Sequence, residues 1–110
     1  MTLARITETE YNILSEVEGQ SVSGAARSKV LVTGNQLAME KVTFENGSST
    51  PDHSHDFETI CYVVKGKVRV TIGDETFIAE VGDSFSQPRA IPHSIYALHE
   101  TTVLLVKPSQ

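Results

Sequence analysis

The chain has 110 residues, 39% of them hydrophobic and 21% charged, with a formal net charge of −5, a length and balance that suit one globular domain. No Lys/Arg-rich face argues for a nucleic-acid partner, no run approaches the roughly 20 apolar residues of a membrane span, and Met1 to Glu10 is too polar for a secretory signal. Cys61 is the lone cysteine and can form no internal disulfide, which fits a reducing compartment and an expected cytoplasmic location.

In chain order, the first patterned segment runs from Thr7 to Val17, where Tyr11, Leu14 and Val17 stand at helix-like spacing. From there the pattern is β. Strands are expected over Lys29 to Thr33, Leu37 to Phe44, Thr59 to Val64, Lys67 to Ile72, Thr76 to Val81, Ile91 to Leu98 and Thr102 to Val106, all dense in branched or alternating apolar residues. Turn residues separate them: Gly34-Asn35, Glu45-Asn46-Gly47, Lys65-Gly66, Gly73-Asp74 and Gly82-Asp83. Gly73-Asp74, between Val70-Thr71-Ile72 and Thr76-Phe77-Ile78, reads as a tight hairpin. Short strands at regular spacing favour a sandwich or barrel over alternating strands and helices. The expected organisation is one domain over residues 1–110, with an N-terminal arm and first strand over about 1–26 and the barrel over 27–107.

Three of the four histidines fall in two patterned clusters. In Pro51-Asp52-His53-Ser54-His55, side chains two apart on a strand share one face, with alpha carbons roughly 6.5–7 Å apart. Two imidazoles so placed can converge on one ion at the roughly 2.0–2.1 Å that zinc, for example, prefers. The second cluster begins at Gly82 and passes Pro88 and Pro92 to His93, a stiff lead that would mount a third imidazole. Two histidines on an ordinary β-surface would look like the first cluster, so the pair of clusters carries more weight than either. If they meet, the three ring nitrogens should lie within about 3.5 Å of one another.

Taken together, the clusters resemble the two motifs of the cupin superfamily. The first motif runs Gly, five residues, His-x-His, three or four residues, Glu, six residues, Gly; this chain has Gly47, five residues, His53-Ser54-His55, and later Gly66. The second runs Gly, five residues, Pro-x-Gly, two residues, His, three residues, Asn; this chain has Gly82, Pro88-Arg89-Ala90 and His93. Fifteen residues separate Gly66 from Gly82, the shortest such spacing in these proteins. The resemblance implies an all-β fold, a small double-stranded β-helix (jelly-roll) barrel. It also implies one divalent metal ion (iron, zinc, manganese or nickel) on His53, His55 and His93, and a homodimer pairing near Lys29 to Thr33 and Thr102 to Val106. The family's ligand Glu has no counterpart: its place falls on Thr59 or Ile60, and Glu58 stands one position early. Glu58 is retained as a candidate fourth ligand if the turn after His55 resets strand parity, and as a surface residue otherwise. Ala90 replaces the motif's Gly, taken as a small change, and Ala97 its Asn.

Of the remaining residues, Thr59 and Cys61 share a parity that faces the interior, while Phe57, Phe44 and Phe85 wall the core or the pocket. Tyr96 is read as outer face, Arg89 as solvated, and His99 as a surface residue too far along the strand to share the metal. Three neutral imidazoles leave the full +2 charge on an ion with open positions, as a catalytic rather than a structural site requires. The expected function is an enzyme on a small polar or cyclic substrate, of dioxygenase or of isomerase/lyase type, with no catalytic residue assigned. Two rivals stand beside it: a non-catalytic small-ligand or metal-binding module acting as sensor or effector, and a metal-free sugar epimerase or isomerase in which histidine is the base.

Overall fold

A computed structural model describes residues 2–5 and 10–110. Its strands are β1 (Asn12–Ile13), β2 (Glu16–Val17), β3 (Gln20–Ser21), β4 (Ala26–Thr33), β5 (Leu37–Phe44), β6 (Thr59–Lys65), β7 (Lys67–Ile72), β8 (Glu75–Glu80), β9 (Ser84–Gln87), β10 (His93–Ala97) and β11 (Thr101–Pro108). The fold is all-β, as expected. Among the described residues no helix is long and apolar enough to cross a membrane.

The strands form a six-stranded sheet in the order β1-β4-β5-β11-β6-β9, a three-stranded sheet β10-β7-β8 and a small hairpin β2-β3. Alternation makes the core. Along β6 the side chains of Thr59, Cys61 and Val63 are buried while Ile60, Tyr62 and Val64 are exposed, the period of two that a sheet imposes. Val42, Phe44, Val63 and Val103 from the large sheet meet Val68, Val70, Ile95 and Ala97 from the small one, and each sheet buries its apolar face against the other.

Two turns show how local chemistry sets this layout. Gly73 and Asp74 join β7 to β8 with Ile72 opposite Glu75, the expected tight hairpin. Gly66, between β6 and β7, has φ 90°, and a Cβ there would run into the Glu100 carbonyl and Thr101. Only glycine meets both demands.

The expected helix over Thr7 to Val17 is not formed in its described part; Thr7, Glu8 and Thr9 lie outside the described residues. Asn12 and Ile13 pair with Ser28 and Arg27 of β4, and Glu16-Val17 turns back on Gln20-Ser21 through Glu18 and Gly19. Both turn residues have positive φ, 50° and 77°, the two-residue hairpin geometry that matches strand twist. A short apolar period carries little helical stability of its own, and pairing with β4 offers the backbone better partners. The sequence pattern also passed over β9, whose Ser-Phe-Ser-Gln holds a single apolar residue, and set β10 too early. Ile91 and Pro92 belong to the exposed lead, and the strand opens at His93.

Candidate metal centre

The two histidine clusters are joined through the backbone before their rings meet. His53 and His93 face each other in an antiparallel bridge, the His53 N–H donating to the His93 carbonyl at 3.0 Å and the His93 N–H to the His53 carbonyl at 2.8 Å. Two residues on, the Ala90 N–H donates to the His55 carbonyl at 2.8 Å. Thus the turn leading into β10 grips the His-Ser-His segment at both ends. The ring centroids of His53 lie 4.8 Å from those of His55 and 4.3 Å from those of His93, and His55 and His93 are 5.2 Å apart.

Each ring is oriented by an oxygen on its Nδ1. In His53 that nitrogen lies 2.7 Å from the Pro51 carbonyl, in His93 3.2 Å from the Ile91 carbonyl, and in His55 2.7 Å from Glu18 Oε1. A carbonyl or carboxylate oxygen can only accept, so all three Nδ1 atoms carry the proton and donate it. In the neutral rings the lone pair then belongs to Nε2. Nε2 of His93 is buried and has no hydrogen-bond partner. A buried acceptor without a partner is costly, and a cation is the partner this one fits.

Among the described residues these three histidines form the one group of His, Cys, Asp or Glu side chains able to hold an ion, with one ligand atom from each lying within 4.8 Å of the others. That span exceeds the expected 3.5 Å. An ion at roughly 2.1 Å would draw its ligand atoms to about 3.0–3.5 Å of one another. Burial favours the neutral, ligating form: it pushes His93 down to about 4, with the charge of His53 adding to the shift. His53 is lowered as well, chiefly by burial and against the pull of the Pro51 carbonyl.

Glu58 does not join the group. β6 opens at Thr59 with its side chain inward, and strand alternation turns Glu58 outward to an exposed position. Thr59 is buried and donates from Oγ1 to Gln87 Oε1 at 2.7 Å. Phe57 stacks on the His55 ring, centroids 4.8 Å apart at an interplanar angle of 11°, which adds to the Glu18 contact in setting that ring. Cys61 faces the interior as expected, and burial pushes its thiol up to about 12, leaving it protonated and without nucleophilic character. Phe44 is core, Phe85 packs edge-on to Phe77, Arg89 pairs with Asp56 at the surface, and His99 is exposed.

A family model described as a cupin domain matches residues 40–106, which include all three histidines. The chain is a cupin. No curated protein matches it. Among solved structures it is similar to an RmlC-like cupin from Shewanella frigidimarina (21% identity, 98% of this chain and 90% of that one, TM-score 0.81). KdgF from Halomonas sp. is similar as well (23%, 99% and 95%, 0.82). So is the polyketide cyclase RemF from Streptomyces resistomycificus (22%, 100% and 80%, 0.82). At these identities the likeness is one of fold.

In this cupin, His53 and His55 open onto a cavity of ≈ 200 Å³. Val42, Phe44, Ile95, Val103 and Leu105 supply apolar wall, while Thr59, Gln87, Glu40 and Lys107 supply polar groups. The space is small, so any occupant is small too. Three contributors to the centre and its cavity are not legible in the sequence. Gln87 was hidden by the unrecognised β9, although its place just before Pro88 at a strand end was a usable signal. Glu18 lies 37 residues from His55, and no local pattern links them; the Glu-Gly pair at a turn was the one hint. Ala90 in place of the motif's glycine is a small change in side chain, yet its φ is 63°. The position demands the left-handed conformation that costs an alanine roughly 1 kcal/mol.

Proposed function

We propose that this cupin is a metal-dependent enzyme that holds one divalent ion on the Nε2 atoms of His53, His55 and His93 and acts on a small polar or cyclic substrate. The observation that carries the reading is the uniform arrangement of the three rings, each Nδ1 given to an oxygen, together with the buried, unpartnered Nε2 of His93. Metal-ligating histidines are oriented in this way by outer partners. A purely packed histidine cluster has no reason to leave the same nitrogen free three times.

The residues have separable tasks. The carbonyls of Pro51 and Ile91 and the carboxylate of Glu18 hold the tautomer and aim of the rings. Phe57 covers one face of His55 and limits its rotation. Because all three ligands are neutral and, among the described residues, no carboxylate joins the group, the ion's charge would be offset only through Glu18 behind His55 and would favour an anionic or strongly polarised oxygen on the substrate. When bound, such an ion supplies Lewis-acid polarisation of that oxygen or, if iron, redox chemistry. Thr59 and Gln87 offer a hydroxyl and an amide beside it for orientation. The likeness in fold to a protein described as a polyketide cyclase is in keeping with a cyclisation, isomerisation or elimination.

Elemental analysis of untagged protein, purified without a nickel column, tests the reading. Near-stoichiometric metal, lost in a His53→Ala, His93→Ala double variant, is the expected result. No metal after reloading with iron, zinc or manganese would overturn it. Turnover against diketones, thiols and uronate-type sugars then separates an enzyme from a ligand-binding module.

A further inference from the structure

An ion pair in the cavity wall has no part in holding the histidines. Glu40 on β5 and Lys107 on β11 form an ion pair of 2.8 Å. Both line the cavity, and their side chains are only 14% and 33% exposed. Their placement follows from alternation. Glu40 shares its face with Val42 and Phe44, and Lys107 with Leu105 and Val103, all cavity or core positions. Glu40 is directly opposite Leu105, so the two charges are diagonal neighbours across adjacent strands.

The pair lines the same cavity as His53 and His55, and the register fixes which groups stand beside it. Val106 lies opposite Ile60, so the next residue along β11, Lys107, runs alongside Thr59. Thr59 in turn is opposite Gln87 on β9. Gln87, Thr59, Lys107 and Glu40 therefore form a polar row across four adjacent strands, roughly 5 Å per step, above an apolar floor of Cys61, Leu105 and Val42. Placing two charges in such a wall carries a desolvation cost that an apolar pair would avoid. Small-molecule sites carry a few polar groups of this kind to fix a ligand's orientation.

What the pair can recognise is set by its donors and acceptors. An ammonium has three donors, one of which is committed to Glu40. The spare Lys107 donors and the spare Glu40 lone pairs lie side by side. A hydroxyl group satisfies both, accepting from Lys107 and donating to Glu40. A carboxylate gains Lys107 but meets the negative charge of Glu40, and a methyl group leaves both charges without a partner. We propose that the Glu40–Lys107 pair selects ligands that carry a hydroxyl group beyond the portion bound at the histidines, and rejects a second carboxylate there. The inference rests on the metal reading above and adds a specificity determinant to it.

The test uses protein reconstituted with zinc and three five-carbon α-keto acids that share one chelating end and differ at the other: hydroxyl, carboxylate or methyl. Zinc content is measured first, then affinity by isothermal titration calorimetry. In wild type the hydroxyl acid should bind tightest, by about tenfold over the other two, as expected for a site built to hydrogen-bond a substrate OH. In Glu40→Gln the carboxylate acid should move to first place, because Lys107 is then free of its counter-charge. In Lys107→Met the hydroxyl preference should vanish. A Glu40→Gln, Lys107→Met double variant removes both charges of the pair from the wall and should bind the methyl acid best, which covers the case of a single variant that folds poorly. With zinc bound, equal affinity for the three acids, no binding of any of them, or an unchanged order in Glu40→Gln would each overturn the proposal and leave the metal reading intact. Failure of zinc to bind would be seen in the metal content alone. Repeated with iron and manganese, that failure would overturn the metal reading and, by removing the chelating end, this proposal with it.

Discussion

His53 and His93 differ from His55 in what holds them. The first two are anchored by backbone carbonyls only two residues away and are clamped together by a pair of main-chain hydrogen bonds. No side-chain substitution removes those acceptors. His55 instead depends on a side chain, Glu18, at the tip of a two-residue hairpin outside both main sheets, and on the stacked Phe57 ring. One half of the centre is thus part of the sheet framework. The other half is supplied by a small appendage, half-exposed at its tip. Local anchors make a site insensitive to sequence elsewhere, whereas a remote anchor couples it to the ordering of a distant segment.

The sharpest way to break that contrast is by pH, and the largest effect is expected on the framework half. In metal-free protein the folded-state value of His93 is pushed down to about 4 from an ordinary 6.5, so the unfolded chain takes up its proton first. Stability should be complete above about pH 6.5 and fall as the pH drops toward 4, by up to about 3 kcal/mol from this group. Urea melts at the two ends of that window measure it, and His93→Gln should flatten the dependence. A slope that survives in a His53→Gln, His93→Gln double variant would place the acid sensitivity elsewhere, since burial lowers His53 as well.

Next in size is the remote anchor. Glu18→Ala should weaken metal affinity by about ten- to a hundredfold, the usual loss when an outer partner of a ligating histidine is removed. Its effect on folding should stay within about 0.5 kcal/mol, since Glu18 is half-exposed. Competition against a chromophoric chelator reads the first quantity and a denaturant melt the second. Unchanged affinity would mean that Phe57 alone suffices to aim His55.

The smallest effect concerns the turn that ties the halves together. Ala90→Gly should raise stability by about 1 kcal/mol by relieving the left-handed conformation at φ 63°, less what glycine adds to the freedom of the unfolded chain. Thermal melts at fixed pH would show it as a rise in the midpoint, with metal affinity unaltered because the N–H to His55 is retained.

Most of the fold was legible because its strands carry a period of two. The bounds of β5 and β7 were read correctly from alternation alone. The parity of Thr59 and Cys61 set them inward, where they are found. The N-terminal segment misled because Tyr11, Leu14 and Val17 are apolar contacts in series rather than one helical face. Leu14 packs on the core and Val17 lines the cavity, while Tyr11 lies under Lys29 and Arg27.

For the site, spacing in the sequence determined which imidazoles were candidates and that His53 and His55 share a face, since that follows from backbone geometry within a few residues. Only tertiary structure decided what surrounds them. Glu18 reaches His55 and Gln87 reaches Thr59 through contacts between segments far apart in the chain, and Lys107 stands beside Thr59 because β11 and β6 pair in one register. Such contacts depend on where whole strands come to rest, a collective outcome of core packing that leaves no local trace in the residues it brings together.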